Sequence, residues 1–205
     1  MKKPTHDEAK DLIRDIILPF YAIERDMLVP AQSQGRRRNE NDAEHSWSVA
    51  ILACALAPHI DSKLDLGLIS QFGIVHDLVE VYAMDTSVWA DDPLLALKED
   101  NEAKALRKMK SKFSHFPWLI QTIETYERQD TGEALYVRAI DKYIALVIRF
   151  MDGGEFYRSQ GITKEIFERN LTTHRAKAHR HPGVAEYYEK IRTEYDEHPE
   201  HFYVA

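Results

Sequence analysis

One cysteine, eight glycines, eight prolines and no surplus of positive charge characterise this 205-residue sequence by what it is short of. Cys54 stands alone in an apolar stretch. That excludes an internal disulfide framework and a cysteine-based zinc site, and fits a reducing compartment. So few glycines and prolines argue against a many-turned β architecture and for helices. The formal charge is −7, so there is no global basic field to hold an extended nucleic acid, although a local pocket for one phosphate is compatible with it. The longest apolar run, Val49 to Ala57, is about half of the ~20 residues that a membrane span needs. Met1-Lys2-Lys3 is followed by Thr5-His6-Asp7-Glu8 where the apolar core of a signal peptide would begin. A cytoplasmic protein without a membrane partner is expected.

What is present is an ordinary globular composition, 44% hydrophobic and 30% charged, at a length suited to one compact domain. Thr5 with Glu8 reads as a capping box, and Leu12, Ile13, Ile16, Ile17 and Phe20 recur at helical spacing. A first helix therefore runs to about Ile23, with a kink at Pro19. Residues 26 to 40 hold Pro30, Gly35 and three consecutive arginines, and read as a loop. Asn41 with Glu44 repeats the capping box and opens a helix through Ala57, stopped by Pro58. A third helix is predicted over 66–83, a loop over 85–93, and further helices near 97–113, 117–129, 131–152, 163–178 and 183–196. The expectation is an all-α, single-domain irregular helical bundle. Its metal-site core spans about 36–152, with the C-terminal helices of 163–196 packed on it.

The informative feature is a set of metal-ligand residue types inside apolar helices. His45 precedes Val49, Leu52 and Ala53; His76-Asp77 interrupts Ile74-Val75 and Leu78-Val79; Asp141 lies between Ile140 and Ile144. A carboxylate in a core-facing stretch must be paired or metal-bound, because burying it alone costs several kcal/mol. Two imidazoles and two carboxylates form a mixed N/O set suited to Mn, Fe, Co, Zn or Ni. Open positions on such an ion would hold a water whose pKa falls toward neutrality. On a continuous helix Glu80 lies about 40° from His76 and about 60° from Asp77, placed to orient or deprotonate that water. Asp85, at the helix exit, can add a further carboxylate. Taken singly, each residue has a plainer role: a hydrogen-bonded core histidine for His45, an ion pair with Lys142 or Arg138 for Asp141, a solvated face for Glu80.

Together they carry a resemblance. The order H…HD…D resembles the HD-domain metal-dependent phosphohydrolases, and the flanks are similar to the branch containing the bacterial 5′-deoxynucleotidases. Arg38-Asn39-Glu40-Asn41-Asp42-Ala43-Glu44-His45-Ser46 matches R-x-E-N-x-x-E-H-S. His76-Asp77-Leu78-Val79-Glu80 followed by Asp85-Thr86 matches H-D-x-x-E with a later G-D, except that Met84 replaces the glycine. Asp130-Thr131-Gly132-Glu133-Ala134 before Ile140-Asp141, then Gly153-Gly154, Gly161-Ile162-Thr163 and Arg169-Asn170, extend the similarity over nearly the whole chain. The resemblance implies an all-α HD-domain fold, one divalent metal on His45, His76, Asp77 and Asp141, and Glu80 and Asp85 beside the attacking water. It also implies Arg38 or a neighbour near the substrate phosphate, and a homodimer. The deoxynucleotidases carry an Arg-Trp pair before the first histidine; Arg25-Asp26 is the nearest counterpart here, without the tryptophan.

Arg36-Arg37-Arg38 lies on the approach to the His45 helix and is either a solvated loop or a phosphate clamp, since arginine grips phosphate bidentately. Arg38, Arg37, Arg25 and Trp89 are the candidate substrate-binding residues, whereas Trp47 is expected in the core. The histidines of the tail (His174, His179, His181, His198, His201) have spacings that fit no compact site and are expected at the surface. His115 is the only histidine between Asp77 and Asp141, too few for a dinuclear centre. The expected cofactor is one divalent ion (Mn, Co, Fe, Ni, Zn or Mg). The expected partner is a small phosphate ester, a nucleoside 5′-monophosphate, hydrolysed by metal-activated water. A phosphodiesterase or pyrophosphohydrolase of a signalling nucleotide, a non-catalytic nucleotide- or protein-binding module and an iron oxygenase are the competing readings.

Overall fold

The capping residues start helices where the sequence puts them. In the computed structural model, which describes residues 2–29, 38–83 and 92–204 apart from the side chains of 92–96 and 99, Thr5 and Glu8 exchange both hydrogen bonds of a capping box at the start of α1 (His6–Leu12). The helix then widens into a π turn over Ile13–Ile17 before α2 (Leu18–Phe20). Pro19 has no amide hydrogen for the carbonyl one turn back, and a locally wider helix absorbs that lost bond.

The expected loop over 26–40 is corrected at both of its ends. β1 (Glu24–Val29) and β2 (Arg38–Asn41) pair antiparallel, with Leu28 opposite Asn39, Val29 opposite Arg38, and an irregularity between Glu24 and Leu28. The inward positions of β1 are Arg25 and Met27. A period-two signal built on one arginine and one methionine is invisible to a hydrophobic pattern, because the arginine is held inside by carboxylates.

Asn41 and Glu44 form the second capping box, opening α3 (Asp42–Ile60). Pro58 lies inside α3 and does not end it, since a proline in the last turn forfeits only one hydrogen bond. The predicted helix over 66–83 is also corrected. It divides into α4 (Leu66–Val75) and α5 (Glu80–Ala83), joined by bonds from residue i to i−3: Leu78 N to Val75 O at 3.0 Å, Glu80 N to Asp77 O at 2.9 Å. The angles of a continuous helix therefore do not apply to His76, Asp77 and Glu80. Next come α6 (Asp92–Lys112), which begins before the predicted start, α7 (Pro117–Arg128), α8 (Gly132–Met151), α9 (Glu155–Ser159), α10 (Lys164–Asn170), α11 (Thr172–Ala178), α12 (Pro182–Glu197) and a 3₁₀ turn, Pro199–His201.

Among the described residues the architecture is all-α apart from the two short strands. α3, α4 and α8 bury Val49, Ala53, Phe72, Val137 and Ile140 against one another, each worth about 1.5–3 kcal/mol relative to exposure for the larger side chains. Gly73 sets the spacing of α3 and α4: a Cβ there would stand 2.7 Å from the Ala50 Cα. The Tyr136 hydroxyl donates to the Ala53 carbonyl at 2.9 Å and ties α8 to α3. A second cluster joins Ile16 and Phe20 to Met109, Phe113 and Ile123, and a third gathers Tyr157, Phe167, Tyr188 and Tyr195 against Leu146 of α8. Trp47 is not a core residue; it is 66% exposed on α3. No helix among the described residues is long and apolar enough to cross a membrane.

Candidate metal centre

α3 and α8, and His76 at the C-terminal cap of α4, held at close range by Gly73 and Tyr136, bring ligand-type side chains into the same buried space. His45 is fully buried, and His76 and Asp141 nearly so. One ligand atom from each of these three lies within 4.8 Å of the others. His45 Nε2 is 3.1 Å from Asp141 Oδ1. Asp77 Oδ2 is 3.1 Å from His76 Nε2 and 4.0 Å from His45 Nε2. A cation with bonds of about 2.1 Å has ligand atoms about 3–4.2 Å apart; His45, His76 and Asp141 group closely enough for one ion, and Asp77, next to both imidazoles, groups instead with Asp42 and Glu80.

The tautomers point the same way. His76 Nδ1 lies 2.9 Å from the Gly73 carbonyl, and a carbonyl only accepts, so Nδ1 carries the proton and Nε2 offers its lone pair. That Nε2 is buried and makes no hydrogen bond among the described residues. Two electron-rich atoms 3.1 Å apart without a hydrogen bond, His76 Nε2 and Asp77 Oδ2, are what a shared cation would reconcile. His45 Nδ1 is 3.1 Å from Glu40 Oε2, a carboxylate that orients the ring and leaves Nε2 facing the cluster.

The charges are held in opposition. Burial pushes the Asp77 carboxyl up, but opposing groups around it, the Arg25 guanidinium among them, outweigh it and hold Asp77 well below the usual carboxylate range. Burial likewise opposes ionisation of Asp141, yet Lys142 and the His45 hydrogen bond bring it well below that range. For His45, burial and Arg25 act downward, and its bonds to Asp141 and Glu40 overcome them and raise it. Asp141 divides its oxygens between His45 and Lys142, whose Nζ is 2.6 Å from Oδ2. The ion pair with Lys142 is thus present beside the contact to His45.

The other candidate residues fall in three places. Glu80 is buried, with Asp42 and Asp77 carboxylate oxygens within 4.8 Å and Lys98 Nζ at 3.6 Å. Arg25 lies at the centre, its Nη1 2.7 Å from Asp77 Oδ2 and 2.9 Å from Asp42 Oδ1. Arg38 is exposed and forks onto Glu44 at 2.6 and 2.5 Å, bracing the α3 capping box; no contact among the described residues joins it to the His/Asp cluster. Arg37, Asp85 and Trp89 lie outside the described residues. His115 packs on Phe116 with ring centroids 4.5 Å apart and belongs to no ligand cluster among the described residues. The sequence alone assigns no site role to Glu40, Asp42 or Lys98, and gives Lys142 only as an ion-pair partner of Asp141. Their only signal was local: Glu40 and Asp42 flank the capping asparagine, and Lys142 follows Asp141.

With this geometry, comparison with other proteins is informative. A family model described as HD domain matches residues 30–182. The solved structure of a predicted metal-dependent phosphohydrolase from Magnetospirillum magnetotacticum MS-1 superposes with a TM-score of 0.75 at 24% identity, covering 97% of this chain and 95% of that one. At that identity the likeness speaks for the fold. No curated protein matched the sequence.

Proposed function

This chain belongs to the HD domain family, and we propose that it is a metal-dependent phosphohydrolase that cleaves a phosphomonoester, a nucleoside 5′-monophosphate. The observation that carries the proposal is the buried His76 Nε2, free of any hydrogen bond among the described residues and aimed at the carboxylate of Asp77. His45, His76, Asp77 and Asp141 would hold one divalent ion. Such an ion supplies Lewis acidity and brings the attacking water toward ionisation at neutral pH.

The residues of the chain divide the remaining work. Glu40 and the Gly73 carbonyl fix the two imidazole tautomers. Arg25 bridges Asp77 and Asp42, so the Asp77 carboxylate cannot turn away from the centre. Glu80, buried beside Asp77 and opposite Lys98, is the group to take the proton of the attacking water, with Asp85 as its companion. Arg37, Arg38 and Trp89 would meet the phosphate and base. The chain acts as one domain, since α8 feeds both the ligand-bearing core and the C-terminal cluster.

A homodimer finds support in apolar surface on adjoining helices: Trp47 and Ile51 one turn apart on α3, Ile74 on α4, and Trp118, whose Nε1 donates to Gln71 of α4. A monomer in sedimentation would refute that assembly. The catalytic reading is tested by phosphate release from a panel of mononucleotides with Mn or Co. Activity is expected for at least one nucleotide, and Asp77→Ala should lose it by orders of magnitude with helicity retained. Absence of metal-dependent turnover across phosphomonoesters and diesters would overturn the function.

A further inference from the structure

A 3₁₀ helix has three residues per turn, so side chains three apart eclipse one another. The turn Pro199–His201 uses this to bring together His198 and His201, three residues apart in the sequence. The amide of His201 donates to the His198 carbonyl at 3.1 Å, and the two rings stack with centroids 5.3 Å apart and 25° between planes. The Glu200 carboxylate joins them, its Oε1 2.7 Å from His198 Nδ1. One ligand atom from each of the three lies within 4.8 Å of the others. The expectation of surface histidines is corrected for two of the five: His201 is 8% exposed and His174 is buried, while His179 is exposed as expected.

The turn is clamped to the body of the protein. Arg158 Nη1 donates to the carbonyls of Gly153 and Glu200, at 2.8 Å each. Gly154, at φ +75°, lies so close that a Cβ would stand 2.3 Å from the His201 Cα, a contact and a backbone conformation that only glycine allows. Against this fixed support the buried His201 Nδ1 makes no hydrogen bond among the described residues. His198 and Glu200 are exposed side chains that can close on an ion by ordinary rotamer adjustment. A cavity of about 480 Å³ beside Phe150, Tyr187 and the two histidines leaves room for water on its open side.

We propose that His198, Glu200 and His201 form a second divalent-metal site, separate from the His45/His76/Asp77/Asp141 centre. Two imidazoles and one carboxylate favour a borderline first-row ion such as Zn²⁺, Co²⁺ or Ni²⁺ over Ca²⁺ or Mg²⁺. Bound there, the ion fixes the C-terminal turn in its folded conformation, without entering the chemistry.

The test is Co²⁺ titration of the full chain, read by visible absorption and by ion content after gel filtration, in three proteins. The wild type is expected to retain two ions. Asp77→Ala should retain one, with a rise of several degrees in Tm on adding Co²⁺, because an ion that binds only the folded state stabilises it. His198→Ala/Glu200→Gln, both at exposed positions, should lose the tail ion, bind Co²⁺ at least tenfold more weakly at that site, and keep wild-type phosphate release. If the first centre holds no ion, the wild type binds one that the tail variant loses and Asp77→Ala keeps, and the present inference still stands. Equal Co²⁺ content in the wild type and the tail variant, or no ion in Asp77→Ala, overturns it.

Discussion

Removing the carboxylate of Glu40 should weaken metal binding without touching a ligand. Glu40 is 4% exposed, and its Oε2 lies 3.1 Å from His45 Nδ1 and 3.8 Å from Arg25 Nε. In Glu40→Ala the His45 ring loses the acceptor that selects its tautomer, and Nδ1 is left in a pocket closed to water. Substitutions of this kind cost about 10–100-fold in metal affinity, which is about 1.4–2.7 kcal/mol. Glu40→Gln keeps an oxygen acceptor and drops the charge, so its loss should fall nearer tenfold. The assay is competition for Mn²⁺ or Co²⁺ against a chromogenic chelator, with circular dichroism to establish that the helices remain. At saturating metal, phosphate release should return to within a fewfold of wild type, because Glu40 orients a ligand and touches no reacting atom. An affinity within twofold of wild type in a folded Glu40→Ala protein would refute the reasoning, since it would mean that His45 needs no help to face the ion.

Gly73→Ala would place a methyl group 2.7 Å from the Ala50 Cα and 2.8 Å from its Cβ. No rotamer relieves a clash with backbone, so the cost of overpacking, about 1–3 kcal/mol, should exceed the gain of about 1 kcal/mol in helix propensity. Urea midpoints would report a net loss, and a stabilised variant would contradict the close approach of α3 and α4. Burial and the charge of Lys142 hold the buried His174 well below its ordinary range, whereas the unfolded chain protonates it near pH ~6.5. Its contribution is therefore present above that pH and lost as pH falls toward the depressed folded value. The slope approaches about 1.4 kcal/mol per pH unit. His174→Gln should flatten the stability profile between neutral pH and the mid-fives; parallel urea midpoints for wild type and variant would remove His174 as the cause.

The fold was legible wherever local signals and packing agreed. Both capping boxes, the proline at the start of α7 and the glycine pair after α8 mark element ends that the structure keeps. Legibility failed where tertiary contacts overrode periodicity. β1 turns inward through Arg25, whose partners lie 17 and 52 residues away in Asp42 and Asp77; no local window contains them. Trp47 is a residue type expected in the core, yet α3 directs it outward while neighbouring His45 points in.

The break between α4 and α5 shows why candidate ligands are easier to read from a sequence than their geometry. His76 and Asp77 are adjacent, and a regular helix would turn them about 100° apart; a change of winding brings their side chains together. The i to i−3 bonds after Val75 supply that change: they tighten the chain, set Asp77 Oδ2 3.1 Å from His76 Nε2, and carry Glu80 to the same carboxylate cluster. The residue types were visible because chemistry limits which side chains can ligate a cation. The winding was not, because Leu78 and Val79 suit an α-helix as well as a turn. What holds the tighter path is the surroundings: Leu78 and Val79 buried in the second hydrophobic cluster on one side, and Asp77 drawn to Arg25 on the other. A site of this kind is therefore written in sequence as composition, and is made into geometry only by the packing of elements far apart along the chain.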